Sequence, residues 1–215
     1  MKLRGAIFDL DGTLLDSMPL WENLGAEYLK LKGFNPPKNI NEILKTMSLA
    51  QSAEYFKKEY LICGSKEEII KEIIDLIESL YRLKIPLKTA VIPFLDRLYR
   101  NNVRMCIATA TERDLAKAAL DRLSAAKYFD FILTCSEAGM GKDNPEFFLK
   151  ALELLTTPKH KTMVFEDALH AIKSAKAAGF SVAAIYDKSS YEDQEEIKSI
   201  ADIYLNSFED WEMIL

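Results

Sequence analysis

The chain has 215 residues, of which 49% are hydrophobic, so it can bury a sizeable core in one large domain or in a domain with an insert. Its formal charge of -5 comes from acidic and basic residues spread along the chain, which argues against a nucleic-acid partner. No stretch approaches the roughly 18 consecutive apolar residues of a membrane span, and the amino terminus lacks the pattern of a secretory leader, so we expect no membrane association.

Short apolar runs that recur along the chain are predicted to form strands. They cover residues 3–9, 103–109, 130–134, 161–166, 180–186 and, with a weaker pattern, 202–205. Helix-like stretches separate most of these runs, and such alternation is typical of a parallel sheet with helices on both faces. The predicted fold class is therefore α/β, with a Rossmann-like parallel sheet.

A long helical segment interrupts this alternation after the first strand. Residues 17–84 contain no convincing strand but show repeated helical periodicity, most clearly at Ile69, Ile73 and Ile77. We expect an α/β core formed by residues 1–15 and 86–215, and a small all-helical cap domain of about four helices formed by residues 16–85. Both connections lie near the carboxyl end of the first strand, where ligands bind in open parallel sheets, so the inserted domain can cover a site there.

The first candidate site residues follow the first strand, in the sequence Asp9-Leu10-Asp11-Gly12-Thr13. Side chains two residues apart on an extended segment point the same way, so we expect Asp9 and Asp11 to share one small space. Two carboxylates about 4 Å apart repel by roughly 4 kcal/mol at an effective dielectric constant near 20, and a hard divalent cation would offset this repulsion. A turn or a calcium loop is the alternative, but an EF-hand loop follows a helix and has a further oxygen ligand before its glycine.

Two further elements supply groups suited to a phosphate. The strand 103–109 ends in Thr109, whose hydroxyl can donate to a phosphoryl oxygen, as can the backbone N–H groups that follow it. The alternative is that Thr109 is an ordinary strand residue and that Thr111 is the N-cap of the helix that starts near Glu112. Lys142, just before an apolar-periodic helix, can neutralise charge on a transferring phosphoryl group, although most lysines are simply solvated.

A second pair of acids, Glu166 and Asp167, stands at the end of the strand 161–166. Asp167 can ligate a cation and Glu166 can also reach it, while the alternative is that Asp167 is the N-cap of the helix expected over 168–178. His170 follows shortly after Asp167, and its position favours a helix-surface residue over a site residue.

In the order acid pair, hydroxyl, lysine and acid pair, these elements resemble the phosphatase branch of the haloacid dehalogenase superfamily in which a helical cap domain is inserted just after the first motif. The resemblance covers nearly the whole chain. Its most specific parts are F-D-L-D-G-T-L-L-D-S at 8–17 and F-E-D-A at 165–168, with A-K-A-A-G at 175–179. G-K-D-N-P at 141–145 is moderately specific, and A-T-A-T at 108–111 is degenerate.

The resemblance implies a role for each of the candidate residues. Asp9 would be the nucleophile that forms an aspartyl-phosphate, and Asp11 the acid that protonates the leaving oxygen and then activates water as a base. Thr109, Lys142 and the N–H group of Ala110 would bind the phosphoryl oxygens.

The same resemblance implies Mg2+ as the cofactor. Asp9, the backbone carbonyl of Asp11, and Asp167 would hold the ion, with Glu166 beside them. The family often has proline directly after the lysine where this chain has Asp143, and we expect this difference to change only the shape of the loop.

The predicted function is that of an Mg2+-dependent phosphatase acting on a small, sugar-phosphate-like monoester, and the main alternative is a phosphosugar mutase of the same family. Such mutases carry a histidine where Trp21 stands, and an arginine where Leu49 ends the stretch 45–49, so the mutase has less support. Candidate substrate contacts in the cap domain are Trp21, Lys45, Met47 and Leu49.

Other classes fit the sequence less well. A dehalogenase or a phosphonate-cleaving enzyme has no use for a leaving-group acid at Asp11. A phosphate-accepting signalling module carries its acceptor at the end of the third strand, where this chain has Leu133-Thr134-Cys135. A binding protein without activity is a further alternative, but it would not need the two acid pairs and Lys142.

The three cysteines, Cys63, Cys106 and Cys135, are odd in number and far apart, which favours reduced thiols over a disulfide framework. We therefore expect a cytoplasmic protein. The expected partner is a small phosphorylated metabolite, and the expected oligomeric state is a monomer.

Overall fold

The computed structural model describes residues 3–44 and 47–213, and the chain divides into two compact units. One combines Met1–Met18 with Ile85–Leu215 and is called the core unit; the other is the continuous segment Pro19–Lys84 and is called the helical unit.

Within the described residues, the core unit contains six strands. They are β1 (Gly5–Phe8), β2 (Arg104–Thr109), β3 (Phe131–Thr134), β4 (Thr162–Glu166), β5 (Ser181–Ile185) and β6 (Ile203–Leu205). Each strand lies inside an apolar run that is predicted as a strand. β1 and β4 are buried along their whole length, so their side chains are mostly apolar in both directions.

Helices form most of the remaining regular structure. In chain order they are α1 (Met18–Leu31), α2 (Ile40–Leu44), α3 (Leu49–Glu59), α4 (Lys66–Leu83), α5 (Val91–Arg100), α6 (Arg113–Arg122), α7 (Cys135–Ala138), α8 (Pro145–Leu155), α9 (Leu169–Ala177) and α10 (Gln194–Ile200). Short 3-10 helices cover Ala126–Tyr128, Lys159–Lys161, Lys188–Asp193 and Phe208–Met213. None of the helices within residues 3–44 and 47–213 combines the length and the apolar composition that a membrane span requires.

The strands form one parallel sheet in the order β3-β2-β1-β4-β5-β6. β1 is an internal strand, and Phe8 at its end lies opposite Ile107 of β2 and Phe165 of β4. The chain leaves β1 toward β2 on one side and returns to β4 on the other, so β1 marks the point at which the strand order reverses. Ligand sites of open parallel sheets form at such a point.

Helices cover both faces of this sheet. Successive side chains of a strand point to opposite sides, so neighbouring residues of β1 pack against different helices. Ile7 faces a buried cluster that includes Phe147 of α8 and Ile172 of α9. Phe8 faces the other side, where its ring stacks on that of Phe165 with centroids 4.4 Å apart. The ring of Phe94 from α5 packs edge-on against the same pair. The predicted α/β fold with a Rossmann-like parallel sheet is confirmed.

Within its described residues, the helical unit is built from α1 to α4. Polar contacts join α1, and Lys32 directly after it, to α4. The buried Tyr28 of α1 donates its hydroxyl to Glu72 Oε2 of α4 at 2.6 Å, and Lys32 Nζ donates to Glu72 Oε1 at 2.5 Å. At the start of α4, Ser65 and Glu68 form a capping box that satisfies two backbone N–H groups. The four helices agree with the number expected from the periodicity of the sequence.

The two chain segments that enter and leave the core unit run side by side. Leu15 and Leu87 form an antiparallel bridge, and Asp16 N–H donates to Pro86 O at 3.0 Å. Lys88 then forms an ion pair with the buried Asp187, at 2.7 Å between Nζ and Oδ2, beyond the end of β5. These contacts fix the path of the chain immediately before α5.

Candidate active site

Asp9 stands at the carboxyl end of the internal strand β1. Its N–H group donates to Phe165 O at 2.9 Å, which continues the ladder between β1 and β4 by one residue. The side chain is 7% exposed. The backbone of Asp9 is thus held by the sheet itself, and its carboxylate has little freedom to move.

Lys142 reaches Asp9 from the loop before α8. Its buried ammonium group forms ion pairs with Asp9 Oδ1 and with Glu166 Oε1, the latter at 2.6 Å. The loop is anchored where α8 begins: the side chain of Asn144 accepts a hydrogen bond from Glu146 N–H at 3.0 Å, and Pro145 occupies the first turn. Most lysines in loops are exposed to solvent, whereas Lys142 is buried and pairs with two carboxylates.

Both carboxylate oxygens of Glu166 have partners. Oε1 is paired with Lys142, and Oε2 accepts hydrogen bonds from the N–H groups of Asp167 and Ala168 at 2.7 Å and 2.9 Å. Glu166 is fully buried, and its contacts hold Lys142 while shaping the turn after β4. One of its oxygens also lies within 4.8 Å of carboxylate oxygens of Asp9 and Asp167, so Glu166 can stand beside an ion there or contact it.

Asp167 lies across a narrow gap from the loop that follows Asp9. Thr13 donates its hydroxyl to Asp167 Oδ1 at 2.7 Å, and both residues are buried. A Cβ atom placed on Gly12 would lie 2.8 Å from Asp167 Cγ, and Gly12 has a φ of +81°. Asp167 is not the N-cap of α9, because Ala168 occupies that position.

The buried acids carry more negative charge than Lys142 can balance. Burial raises the pKa of Asp9 to about 7, and although Lys142 opposes the shift, Glu166 and Asp11 add to it. Burial together with the charges of Glu166 and Asp9 raises the pKa of Asp167 well above its usual value. Burial alone would lower the pKa of Lys142, but Asp9 and Glu166 raise it, so the ammonium keeps its proton. A divalent cation among these acids would remove the excess charge.

The donor atoms fit such a cation. Asp9, Glu166 and Asp167 each offer a carboxylate oxygen, and these oxygens lie within 4.8 Å of one another. All three residues are buried. Oxygen donors from carboxylates are the ligands that Mg2+ prefers, so the residues present suit the predicted ion.

Asp11 and Thr109 are joined through Thr111. Thr111 donates its hydroxyl to Asp11 Oδ2 at 2.5 Å, and its N–H group donates to Thr109 Oγ1 at 3.0 Å. The interpretation of Thr111 as a helix N-cap is wrong, because α6 begins at Arg113 and Glu112 is its N-cap. The sequence analysis did not predict the contact between Thr111 and Asp11. The spacing from Thr109 offers a signal for it, because residues two apart on an extended segment point the same way.

Two sets of predicted residues remain, namely Ala110 and the candidate substrate contacts of the helical unit. Ala110 is exposed just beyond β2. Trp21 and Leu49 belong to the helical unit and are 38% and 37% exposed, and Met47 is half-buried in the same unit. The Trp21 indole donates to the hydroxyl of Tyr81 at 3.2 Å. Lys45 lies outside the described residues.

His170 is exposed on α9, as its sequence position favours. It lines a cavity of about 400 Å³ in the core unit, and Asp167 lies at the edge of the same cavity together with Ser189 and Ser190. His170 is therefore near the acid cluster without being one of its members.

Comparison with known proteins identifies the family. A model described as haloacid dehalogenase-like hydrolase matches residues 6–185. A phosphorylated carbohydrates phosphatase from Thermotoga maritima is 26% identical over 190 residues, which cover 82% of this chain and 82% of the relative. Hexitol phosphatase A from Escherichia coli is 26% identical over 187 residues, which cover 86% of this chain and 84% of the relative.

A solved structure shows the same fold. A crystal structure from Thermotoga maritima, of a protein provisionally named a beta-phosphoglucomutase, has a TM-score of 0.83 at 22% identity and covers 100% of both chains. The family model spans most of this sequence, and it confirms both the predicted resemblance and the predicted hydrolase class. The chain belongs to the haloacid dehalogenase-like hydrolase family.

Proposed function

We propose that this protein is an Mg2+-dependent phosphatase that hydrolyses a small, sugar-phosphate-like monoester through an aspartyl-phosphate on Asp9. The observation that carries the proposal is the buried carboxylate of Asp9, fixed at the end of the internal strand and in contact with Lys142. The names of the relatives, a phosphorylated carbohydrates phosphatase and a hexitol phosphatase, support the substrate class.

In the first step, a carboxylate oxygen of Asp9 attacks the phosphorus atom. The bond from phosphorus to the ester oxygen breaks as the new bond forms, and Asp11 gives its proton to the departing oxygen. Lys142, the hydroxyl of Thr109 and the N–H group of Ala110 bind the phosphoryl oxygens, which stabilises the charge that develops on them. The alcohol leaves and the phosphoryl group stays on Asp9.

In the second step, a water molecule attacks the phosphorus atom of the aspartyl-phosphate. Asp11, now ionised, takes a proton from this water, and the bond between phosphorus and Asp9 breaks. Inorganic phosphate leaves, and both aspartates return to their starting states. One residue thus serves as acid and then as base, which requires it to stand on the leaving-group side of the phosphorus atom.

Asp9, the backbone carbonyl of Asp11, and Asp167 would hold Mg2+, with Glu166 beside the ion as the partner of Lys142. The ion supplies positive charge that offsets the repulsion between the acids and the phosphoryl group. Burial, and to a smaller extent the neighbouring carboxylates, raise the pKa values of Asp9 and Asp167, and a cation held among these acids would favour their ionised forms.

The helical unit is proposed to act as the cap domain of this site. One connection to the core unit comes after Leu15 and the other comes before Leu87. These two residues form a bridge in the segments that follow β1 and precede α5. Trp21, Met47 and Leu49, together with Lys45, are the proposed contacts to the body of the substrate. Their largely apolar character predicts a monophosphate with an uncharged or modestly polar body.

The Asp9→Asn variant tests the nucleophile. Because an amide oxygen is a poor nucleophile, we expect this variant to lose hydrolysis of p-nitrophenyl phosphate. In the wild type, removal of Mg2+ with EDTA should abolish activity until Mg2+ is restored. Asp143→Asn, which changes an exposed acid next to Lys142 in sequence, is the matched control and should retain activity. Wild-type turnover in Asp9→Asn would contradict the proposal.

A panel of phosphorylated metabolites tests the substrate class. Sugar and polyol monophosphates should give the highest kcat/KM, and release of inorganic phosphate should account for all the substrate consumed. Isomerised sugar phosphate among the products would instead favour a mutase. A clear preference for bisphosphates or phosphorylated acids would contradict the predicted uncharged body.

A further inference from the structure

The hydrogen bond between Thr111 and Asp11 joins two loops that leave neighbouring strands. Thr111 follows β2 and Asp11 follows β1, and the two residues are 100 positions apart in sequence. The distance from Thr111 Oγ1 to Asp11 Oδ2 is 2.5 Å, and both groups are partly buried. A contact this short, made to a carboxylate, restricts the rotation of the Asp11 side chain.

The backbone of Thr111 has a separate task. Its N–H group donates to Thr109 Oγ1 at 3.0 Å. The hydroxyl of Thr109 thus accepts from one side and keeps its own proton for a phosphoryl oxygen. This backbone contact does not depend on the side chain at position 111, so a substitution there can remove the contact to Asp11 and leave the contact to Thr109.

We propose that Thr111 is a positioning residue for proton transfer, whose hydroxyl holds Asp11 by Oδ2 so that Oδ1 delivers the proton to the departing ester oxygen. The proposal rests on the proposed function of Asp11. Because Oδ2 accepts the hydroxyl proton of Thr111, the proton of the neutral acid lies on Oδ1, and its transfer takes place from that oxygen. Thr111 keeps its own proton throughout, and the proton that moves belongs to Asp11.

The leaving group of the substrate separates this role from a structural one. An alkoxide departs poorly unless it is protonated, whereas nitrophenolate departs well without a proton. In Thr111→Val, which keeps the branched shape and loses the hydroxyl, we expect the rate of the first step to fall about 10- to 100-fold for an alkyl phosphate. For p-nitrophenyl phosphate, rapid-mixing absorbance should show a fall of less than about 3-fold in the same step.

Thr111→Ser is the matched control, because it restores a hydroxyl at the same position. Its rate for the alkyl phosphate should return to within about 3-fold of the wild type. Thr111→Ala removes the same hydroxyl with a smaller side chain, so it gives the same test if Thr111→Val does not fold, as judged by circular dichroism. Equal losses for both substrates, or a serine variant as slow as the valine variant, would overturn the proposal.

A double substitution shows whether Thr111 acts through Asp11. Asp11→Asn alone should lose the leaving-group acid, and adding Thr111→Val should then cause no further loss with the alkyl phosphate. Additive losses would overturn the positioning role. If Asp11→Asn slows the first step equally for both substrates, the proposed function of Asp11 fails, and this outcome is distinct from a failure of Thr111.

Discussion

Gly12 is required by the position of Asp167. The residue has a φ of +81°, and a Cβ atom there would lie 2.8 Å from Asp167 Cγ. Any side chain would therefore meet both backbone strain and a clash with a proposed Mg2+ ligand. The glycine after Asp9 and Asp11 thus lets the loop pass close to the second pair of acids.

We expect Gly12→Ala to raise the Mg2+ concentration that gives half-maximal activity by about 10-fold or more, because Asp167 must shift. Gly33→Ala is the matched control: Gly33 has a φ of +82° with nothing within 4 Å, so it bears the backbone strain without the clash. Both variants should lose about 1 to 2 kcal/mol of stability from the positive φ. A Gly12→Ala enzyme with the Mg2+ dependence of the wild type would contradict this account.

Single residues differ in how far the sequence reveals them. Asp9 and Glu166 with Asp167 are recognisable because each closes an apolar run, and strand ends meet at one edge of a parallel sheet. The partners of Glu166 and Thr111 are not recognisable. Lys142 lies 24 residues from Glu166 and Asp11 lies 100 from Thr111, so these contacts depend on which loops the fold brings together.

At the scale of elements, the strands are predicted well because their sequences carry a simple signal. β1 and β4 are buried on both faces, and they read as short, continuous apolar runs. Their order in the sheet carries no such signal. The placement of β1 between β2 and β4 depends on crossover connections through helices, which a single sequence does not encode as a local pattern.

The contact between α1 and α4 gives a prediction at this scale. Tyr28→Phe removes the hydroxyl that donates to Glu72 and leaves the pairing of Glu72 with Lys32. We expect the free energy of unfolding to fall by about 1 to 2 kcal/mol, as for a hydrogen bond to a charged group, measured by urea denaturation. Tyr191→Phe, at a tyrosine that is 71% exposed, is the control and should change stability by less than about 0.5 kcal/mol. Equal effects of the two substitutions would contradict this interpretation.

At the scale of the whole molecule, the acid cluster should make the free energy of unfolding depend on pH. Burial raises the pKa of Asp9 from 3.8 to about 7, so the folded protein binds more protons than the unfolded chain between these values. The raised pKa of Asp167 acts in the same direction. The free energy of unfolding without Mg2+ should therefore fall as the pH rises through this window, by about 1.4 kcal/mol for each unit of difference in pKa.

Denaturation by urea at several pH values, with EDTA or with Mg2+, measures this effect. Saturating Mg2+ should stabilise the protein more at pH 8 than at pH 5, because the ion binds the ionised acids. Asp9→Asn, which cannot ionise, should show a shallower decline in EDTA. A wild type and a variant that decline in parallel in EDTA would contradict the raised pKa of Asp9. A stability that Mg2+ leaves unchanged would show that the cluster does not hold the ion.

The internal place of β1 has a consequence for how the chain is synthesised. β1 is synthesised well before its two neighbours in the sheet, which begin at Arg104 and Thr162. The segment Pro19–Lys84 is complete long before either neighbour exists. A nascent chain therefore carries Asp9 on an unpaired strand until β2 has been synthesised, and a chain interrupted before Glu166 lacks part of the acid cluster. Premature products of this protein contain the proposed nucleophile but not the complete acid cluster.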